Sequence, residues 1–519
     1  KGWRTELGGD LSPPVAADGK IFVADSEAHA VRCVDAASGE KLWTYTTGAR
    51  VDSPPTIYEG RVIFGSRDGN VYCLRASDGE LVWRFRAAPG WRQIMVRGQL
   101  ESSWPSHGSV LVRDGKVYCS AGRNSYFDGG VYVYALDPQT GEVIHTHHML
   151  SERPDVDEEP GRPFDMEGVS SDLLVAGSED IYMFQKRFSE DLSVEPMPRI
   201  TKLGDRRAGL HLMTNDGLLD KTWFNRTFWT YSTRWPGYYL APDAPKSGQL
   251  LVFDDEHTYG VKFYREWHGL SPEFRPGQGY KLFADRNSNE PGLDPTAIGR
   301  EKGEGFSRTQ PPAWTKNVPV RVQAMVLARD HLYVAGPPDL GPGKAAQAAI
   351  RGRRGACFRV VAAEDGQVLS GFEMDSVPAF DGLIAAYDRL YMTTQDGAVV
   401  SFRPDSTPPN IESARAFKAD RSRMLVTFDE RVTADSAGDV SHYRIDPDIE
   451  VRSAELRETG RTVELTTSAL EEGASYSVQV EGVTDRSRAA NSARGTIDVT
   501  CRPRQPGVVR SYYEGKWQA

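Results

Sequence analysis

The side chains that could do chemistry are concentrated in three irregular stretches, QLESSWPSHGS (residues 99–109), AGRNSYFDGG (121–130) and GLHLMTNDGLLDKTWFNRTFW (209–229). They combine a carboxylate, imidazoles, guanidinium groups and aromatic rings. The candidate ligand-binding residues are Glu101, Trp104, His107, Arg123, Tyr126, His211, Arg226 and Trp229. Arginine offers a planar fork that fits a carboxylate, and an aromatic ring stacks on a pyranose. These residues therefore suit an anionic ligand or a sugar.

The same residues allow two other interpretations. An acid and a base within reach of one another, such as Glu101 and His107, could carry out elimination or hydrolysis. Alternatively, these side chains fasten a long irregular segment through hydrogen bonds and meet no ligand. The sequence leaves binding, catalysis and fastening open, and it assigns no catalytic residue.

Two further clusters raise the question of a metal ion. In HTHHM, His145 and His147 share one face of a strand, as two metal ligands would. No clear third ligand lies nearby, so exposed strand histidines are the preferred interpretation, and no metal site is assigned. The acidic run Asp155–Glu159 has oxygen ligands that suit calcium, but its spacing fits no EF-hand loop. A solvated acidic loop is preferred there, with calcium as the alternative.

The element that must position these stretches is a repeat. CVDAASGEKLW (Cys33–Trp43) returns forty residues later as CLRASDGELVW (Cys73–Trp83). Before each phrase, two apolar segments flank a turn, at Asp18-Gly19 and at Glu59-Gly60. Such pairs are hairpin signals, because glycine takes positive φ without steric cost. Four short strands per forty residues are typical of a β-propeller blade, and we expect the tryptophan to pack between blades.

Seven such units can be recognised, and they begin near Ser12, Ser53, Gly108, Asp172, Gly248, Ala324 and Asp381. The seventh unit lacks its fourth, Trp-bearing strand, whereas Trp3–Leu7 has such a strand with no partners. We therefore predict that Trp3–Leu7 completes the last blade and closes the ring. The predicted fold class is all-β, a seven-bladed propeller followed by an immunoglobulin-like β-sandwich. Eight blades are the alternative, since the middle of the chain is irregular.

The phrase Ala-x-Asp-x-x-x-Gly-x-x-x-Trp resembles the repeat signature of pyrroloquinoline-quinone-type propellers. ESSWPSHGSVLV and WFNRTFWTYS are similar to a quinoprotein-like propeller group of planctomycete-type bacteria, and the resemblance covers residues 1–403. It implies a cofactor stacked beneath a disulfide between adjacent cysteines, with calcium beside it. No two of the five cysteines are adjacent, and no Cys-x-x-Cys-His haem site is present. We therefore expect no pyrroloquinoline quinone and no quinone-dependent dehydrogenase activity.

A second domain is predicted after the proline-rich linker RPDSTPPNIESA. RMLVTFDERV and RTVELTTSAL alternate apolar and polar residues, as half-buried strands do. They resemble a bacterial immunoglobulin-like β-sandwich of cell-surface proteins, which we assign to residues 404–500. The tail, residues 501–519, resembles the opening strand of a glycan-associated domain, so we expect a further domain beyond it.

The composition narrows the function. The 519 residues carry a formal charge of -10, which argues against a nucleic-acid partner, because phosphate binding usually needs a basic face. No run approaches the roughly 18 apolar residues of a membrane span. The resulting hypothesis is an extracytoplasmic propeller (periplasmic, cell-surface or secreted) that recognises a glycan, within a larger protein. The alternatives are a lyase or hydrolase of acidic polysaccharide and a non-catalytic scaffold that assembles proteins at the bacterial surface.

Overall fold

The computed structural model describes residues 2–151, 169–183, 186–195, 209–214, 229–234, 244–262, 277, 279–294, 305–403, 408–417, 420–457, 459–485 and 490–501. The chain divides into two units, Lys1–Phe402 and Arg403–Ala519. Each unit has its own sheets and its own apolar cores. The predicted domain boundary, after residue 403, lies one residue beyond this division.

The first half of unit 1 contains four antiparallel sheets, each with its strands in sequence order. The chain first enters the short strand β1 (Arg4–Glu6). Blade 1 consists of β2 (Val15–Ala17), β3 (Lys20–Asp25), β4 (Ala30–Asp35) and β5 (Lys41–Thr46), and blade 2 of β6 (Thr56–Tyr58), β7 (Arg61–Gly65), β8 (Asn70–Arg75) and β9 (Leu81–Arg86). Blade 3 consists of β12 (Leu111–Arg113), β13 (Lys116–Ala121), β14 (Val131–Leu136) and β15 (Val143–Met149). Blade 4 consists of β16 (Leu174–Ala176), β17 (Ile181–Met183), β18 (Lys186–Phe188) and β19 (Val194–Glu195). Between blades 2 and 3, a separate hairpin pairs β10 (Gln93–Val96) with β11 (Gln99–Ser102).

The second half of unit 1 continues the pattern with more irregular blades. Blade 5 consists of β20 (His211–Thr214), β21 (Trp229–Ser232) and β22 (Ser247–Gly248), and blade 6 of β23 (Leu250–Phe253), β24 (His257–Lys262), β25 (Tyr280–Arg286) and β28 (Trp314–Val318). Blade 7 consists of β29 (Ala324–Ala328), β30 (His331–Gly336), β31 (Ala356–Ala362) and β32 (Val368–Met374). Blade 8 consists of β33 (Pro378–Ala386), β34 (Arg389–Thr394), β35 (Ala398–Phe402) and the N-terminal β1. A small hairpin of β26 (Gly292–Asp294) and β27 (Gly305–Ser307) is inserted within blade 6.

The described residues of unit 1 thus form eight blades, which matches the alternative count rather than the preferred seven. The additional blade is blade 5. Its first strand lies in the third candidate stretch, residues 209–229, and its second begins at the end of that stretch; there the sequence indicated candidate site residues and no blade. Its strands HLMT and WTYS are four residues long, and although Asp216-Gly217 follows the first of them in the sequence, no Gly-x-x-x-Trp phrase does. A strand of that length has little periodicity to reveal it.

The eight blades form a closed ring. Their first strands contact one another in succession from β2 to β20 and from β23 to β33, while β22 and β24 join blades 5 and 6. The ring closes where β33 contacts β2. The predicted closure by Trp3–Leu7 is confirmed, since Arg4, Thr5 and Glu6 pair antiparallel with Val400, Val399 and Ala398. The last blade therefore combines strands from both ends of the unit, which leaves no broken blade at the junction.

The hairpin signals in the repeat are confirmed by backbone geometry. Asp18 and Gly19 both have positive φ, at 48° and 71°, and Glu59 and Gly60 have 45° and 71°. Positive φ at both central residues defines the type I′ turn, whose twist matches that of the flanking strands. The repeated acidic residue–glycine pair therefore sets the register of the first two strands of a blade.

Each repeat tryptophan joins its own blade to the next, as the sequence predicts. Trp43 lies on the fourth strand of blade 1, and its Nε1 donates a hydrogen bond to the carbonyl of Ala76 in blade 2, at 3.1 Å. Its ring covers Gly79, where a Cβ atom would lie 2.7 Å from the indole. Equivalent contacts join Trp3 to Gly39, Trp83 to Gly141 and Trp314 to Gly366. Glycine is required at these turns both for its positive φ and for this close approach.

Unit 2 is built from two antiparallel sheets around one core. The sheets are ordered β36-β37-β40-β39 and β38-β41-β42, from β36 (Ile411–Ala416), β37 (Arg423–Phe428), β38 (Tyr443–Asp446), β39 (Val451–Leu456), β40 (Thr462–Thr467), β41 (Ser475–Thr484) and β42 (Ser492–Thr500). The core takes Met424 and Val463 from one sheet and Tyr443 and Val478 from the other. This is the predicted two-sheet sandwich, while its immunoglobulin-like classification stays a prediction.

Helices are short in both units. Among the described residues they are α1 (Lys344–Ile350), in blade 7, and α2 (Ala434–Gly438) with a 3-10 turn at Val440–His442, in unit 2. In the described ranges, no helix has the length and apolar character needed to cross a membrane.

The tryptophan contact at the ring closure can be tested by Trp3→Ala. The substitution removes the hydrogen bond to Ala36 and the cover over Gly39. Because Trp3 is half-buried, we expect a loss of about 2–3 kcal/mol of unfolding free energy, below the range for fully buried tryptophans. Urea unfolding followed by circular dichroism measures it. Trp91→Ala is the matched control, since the Trp91 side chain is 83% exposed, and equal losses in both variants would contradict the closure argument.

Candidate functional site

The candidate site is organised around one buried carboxylate, that of Glu101. Glu101 lies on β11, and no part of its surface is exposed. Its Oε1 accepts hydrogen bonds from Arg50 at 2.9 and 2.5 Å, and its Oε2 accepts one from Arg123 at 2.6 Å. The guanidinium of Arg67 lies 3.6 Å from Oε2. One carboxylate is therefore shared by three arginines.

The propeller topology explains why these residues meet. Arg50 lies in the connection between blades 1 and 2, whereas Arg67 lies in the turn between β7 and β8. Arg123 follows β13 in blade 3, in the corresponding turn. In an antiparallel blade, the connection into the first strand and the turn between the second and third strands lie at the same end. The network therefore joins blades 1, 2 and 3 at one face of the ring.

A second acid extends the network to His107. Arg67 donates a 2.6 Å hydrogen bond to Asp52, whose carboxylate lies 3.9 Å from Nδ1 of His107. His107 is 3% exposed, and neither ring nitrogen has a hydrogen-bond partner among the described residues. Burial raises the pKa of Asp52, but the His107 imidazole and the Arg67 guanidinium outweigh this and hold the pKa well below its usual range.

Trp104 and Tyr126 lie at the edge of the same network. The indole Nε1 of Trp104 donates a 2.6 Å hydrogen bond to the carbonyl of Asp128, and the Arg92 guanidinium lies 5.3 Å from the centre of a Trp104 ring. Arg92 also forms an ion pair with Asp128. The backbone N–H of Tyr126 is bonded to the side chain of Asn124 at 2.9 Å. These contacts tie the β10–β11 hairpin to the turn after β13.

The remaining predicted site residues belong to blade 5. His211 stacks on Tyr182 with ring centres 3.7 Å apart, and its Nδ1 lies 3.0 Å from the carbonyl oxygen of Gly209. Burial lowers the pKa of His211. Trp229 is half-buried on β21, opposite Thr214. Arg226 lies outside the described residues. The structure therefore brings together Glu101, Trp104, His107, Arg123 and Tyr126, and it assigns His211 and Trp229 to another sheet.

The histidines of β15 have structural neighbours. His145 follows Gly141 by four residues, the spacing that puts tryptophan after Gly39 and Gly79 in blades 1 and 2. His147 packs edge-on against Phe188 of blade 4. Within the described part of the chain, no three His, Cys, Asp or Glu side chains gather in a way that could hold a metal ion. The acidic run Asp155–Glu159 lies outside the described residues.

The structure also reveals a pocket that the sequence reasoning missed. It has a volume of about 320 Å³ and lies at the outer part of blades 1 and 2, beside the β10–β11 hairpin. We call it the basic pocket, and its chemically distinctive lining residues are Tyr45, Tyr72, Arg84, Arg86, Trp91 and Arg92. The sequence signal was RFRAAPGWRQ, residues 84–93, which contains three arginines and a tryptophan in an acidic chain.

The two groups of residues have different chemical capabilities. In the Glu101 network, both carboxylate oxygens are engaged by guanidinium groups and the side chain is closed to solvent. That arrangement favours the fastening interpretation over acid–base chemistry, which needs a carboxylate that can reach a substrate. The basic pocket is open, and it presents aromatic rings together with guanidinium groups.

Comparisons with known proteins agree with the repeat. Residues 1–190 match the family model described as outer membrane protein assembly factor BamB. The BamB protein of Burkholderia pseudomallei (strain K96243) is 31% identical over 140 residues, 27% of this chain and 32% of that protein. A quinoprotein ethanol dehydrogenase of Pseudomonas aeruginosa is 28% identical over 151 residues, 26% of this chain and 22% of the dehydrogenase. The chain thus spans a third or less of the length of these relatives.

Solved structures give a similar set of neighbours. The quinohemoprotein alcohol dehydrogenase of Comamonas testosteroni aligns with a TM-score of 0.43 and 13% identity, over 80% of this chain and 79% of that chain. BamB from Moraxella catarrhalis aligns with a TM-score of 0.32 and 14% identity, over 77% and 84% of the two chains. The sheet topology makes unit 1 an all-β propeller, and its residues 1–190 are similar to PQQ-like repeat proteins.

The residues do not fit the quinone in the way that the resemblance implies. All five cysteines are buried, free and non-adjacent. Cys33, Cys73 and Cys119 lie on the two central strands of their blades. Burial there raises the pKa of their thiols to about 12. A disulfide between adjacent cysteines therefore has no counterpart in this chain.

The role of Glu101 can be tested by Glu101→Gln. The substitution leaves Arg50 and Arg123 without their shared anion, and breaking a buried ion pair costs about 3–5 kcal/mol. We expect the lower end of that range, because both arginine side chains keep contact with water at 16% and 21% exposure. Urea unfolding measures the loss, and Glu40→Gln on the exposed surface is the control. A loss below 1 kcal/mol would show that the network does not hold the blades.

The Asp52 carboxylate predicts a pH dependence. Its folded pKa is lowered, so its contribution to stability is present above the unfolded value of about 3.9 and is lost as pH falls through the folded pKa. Asp52→Asn should therefore lower the melting temperature at pH 7, and the gap to the native chain should narrow below about pH 4. Scanning calorimetry from pH 7 to pH 3 measures this, with Asp375→Asn as the exposed control. A gap that is constant across this range would contradict the assignment.

Proposed function

We propose that this protein is a non-catalytic scaffold, a propeller that holds a partner protein on the face formed by blades 1 to 3. The observation that carries the proposal is the sharing of Glu101 by Arg50, Arg67 and Arg123. A carboxylate used in this way fixes loops relative to one another. Fixed loops on a rigid ring make a preorganised surface, which reduces the entropy lost when a protein partner binds.

The match of residues 1–190 to the family of outer membrane protein assembly factor BamB supports this proposal. The same relationship supports a location outside the cytoplasm, in the periplasm or at the cell surface. A quinone dehydrogenase is a weaker candidate, since the chain lacks the adjacent cysteines that the resemblance implies. Dehydrogenase activity stays open to test by adding pyrroloquinoline quinone and calcium to the purified chain.

Recognition of an acidic glycan is the second candidate, and one observation favours it. The ring of Trp91 is 83% exposed beside the basic pocket, and an exposed ring next to arginine suits a sugar acid. A polysaccharide lyase or hydrolase would need, in addition, an acid and a base open to that pocket. Glu101 and His107 are both buried. The enzyme alternative therefore requires the loops over these two side chains to open before a substrate can reach them.

A site-specific crosslinking experiment tests the scaffold proposal. A photoreactive amino acid in place of Phe127, which is 60% exposed in the turn after β13, should crosslink one recurring protein in the native host. The control position is Leu369 on β32 of blade 7, with 43% exposure. Mass spectrometry of the crosslinked product identifies the partner.

The outcomes separate the candidates. A single protein at Phe127, absent at Leu369, supports the scaffold. No protein crosslink, together with binding of the purified chain to an acidic glycan array, would overturn it in favour of glycan recognition. Release of unsaturated or reducing sugar ends from that glycan would overturn it in favour of an enzyme.

A further inference from the structure

The β10–β11 hairpin has two chemically different faces. Met95 and Leu100 are directly paired across the hairpin, so they share a face, and their side chains are 66% and 53% exposed. The pair Ile94 and Glu101 lies on the opposite face, where Glu101 is fully buried among its arginines. One face is therefore anchored by ion pairs, and the other presents an apolar pair to solvent.

The exposed face continues into the basic pocket. Side chains alternate along a strand, so Gln93 and Ser102 share the face of Met95 and Leu100. Both Gln93 and Ser102 line the basic pocket. The apolar pair and the pocket therefore form one continuous surface, which we call the hairpin surface.

The hairpin surface is basic on a chain whose formal charge is -10. Arg84 is exposed, and in the described part of the chain its guanidinium has no hydrogen bond or ion pair. Arg86 stacks on Trp91 with its guanidinium carbon 3.3 Å from the ring centre. Arg97 is exposed at the tip of the hairpin, where it has a φ of 49°. Of these arginines, Arg92 forms an ion pair, with Asp128.

The carboxylate inside the pocket is already engaged. Asp68 accepts hydrogen bonds from the hydroxyl of Tyr72 at 2.5 Å, from the backbone of Asn70 at 2.9 Å and from the backbone of Gly48 at 3.0 Å. Burial lowers the pKa of Arg86, the Asp68 carboxylate raises it in part, and the charge of Arg84 lowers it. Asp68 is thus one carboxylate beside two arginines, and an incoming carboxylate would add a second negative charge to this group.

We propose that the hairpin surface binds an acidic peptide segment of the partner protein, with its carboxylates at Arg84 and Arg86 and an apolar side chain on Met95 and Leu100. This inference rests on the proposed scaffold function and specifies the chemistry of the partner. The charge of the surface selects an anion. The apolar pair then selects a peptide over a sugar, because a polar glycan would leave Met95 and Leu100 unused.

Fluorescence anisotropy with the purified full chain tests this proposal. The probe is a fluorescein-labelled ten-residue peptide of alternating aspartate and leucine, and the comparison peptides alternate lysine with leucine and aspartate with glycine. We expect binding of the first peptide that weakens with salt and little or no binding of the other two. Arg84→Glu should weaken binding by about tenfold or more, as expected for a charge contact at an interface.

Matched variants separate the two parts of the surface. Met95→Ser combined with Leu100→Ser should also weaken binding by about tenfold, with both changes at exposed positions that leave Glu101 and its network intact. Arg354→Glu, an exposed arginine in blade 7, should bind as the native chain does. Loss of affinity equal in Arg354→Glu and Arg84→Glu would overturn the proposal as non-specific attraction.

Two further results would overturn the inference in different ways. Binding of trigalacturonate that is lost in Arg84→Glu, without any binding of the acidic peptide, would assign the surface to a glycan. Absence of peptide binding while Phe127 still crosslinks a partner in cells would leave the scaffold function standing and move the docking site elsewhere. Peptide binding without any cellular partner would instead count against the scaffold function alone.

Discussion

Among the described residues, four of the eight junctions between blades depend on the contact between a tryptophan of one blade and a turn glycine of the next. A four-stranded blade is too small to bury both of its faces alone, so its stability depends on its neighbours. The indole provides a large apolar surface and a hydrogen bond to a turn carbonyl, as Trp43 does with Ala76. A Cβ atom on Gly79 would lie 2.7 Å from that ring. Because the contact needs two residue types at a fixed spacing, it leaves a repeated phrase in the sequence.

That requirement explains how much of the fold could be predicted. The tryptophan–glycine phrase and the type I′ turns identified the regular blades and the closure by the N-terminal strand. Blade 5 was missed because its four-residue strands lack the tryptophan–glycine phrase and are too short to show alternation, and long-range pairing holds them, as His211 opposite Ser232 shows. Blade 3 has kept the glycine, at Gly141, while histidine has replaced the tryptophan. The signal is therefore incomplete in blade 3, where His147 on the same strand packs against Phe188 of blade 4.

The candidate site was predicted only in part, for a related physical reason. Unusual residue types marked Glu101, His107 and Arg123 as neighbours, but the sequence could not reveal their partners. Arg50 and Arg67 come from other connections, and only the stacking of three blades brings them to one carboxylate. The basic pocket was missed because its arginines alternate along β9, where Arg84 and Arg86 look like ordinary outward residues of an edge strand. Exposure and pairing, which decide whether an arginine is available, are properties of the folded chain.

The buried network and the exposed surface are two consequences of one arrangement. Burying Glu101 with its arginines costs desolvation, and a well-packed apolar cluster would often serve stability as well or better. What ion pairs add is direction, because hydrogen bonds from guanidinium to carboxylate fix both distance and angle, as the two from Arg50 to Oε1 of Glu101 do. Three arginines hold the inward face of the hairpin. Arg50 comes from the connection between blades 1 and 2, Arg67 from blade 2 and Arg123 from blade 3. The outward face of the hairpin can therefore carry Met95 and Leu100 into solvent without collapsing onto the ring. A surface held in this way has lost its conformational freedom before a partner arrives, which is the property that an assembly scaffold requires.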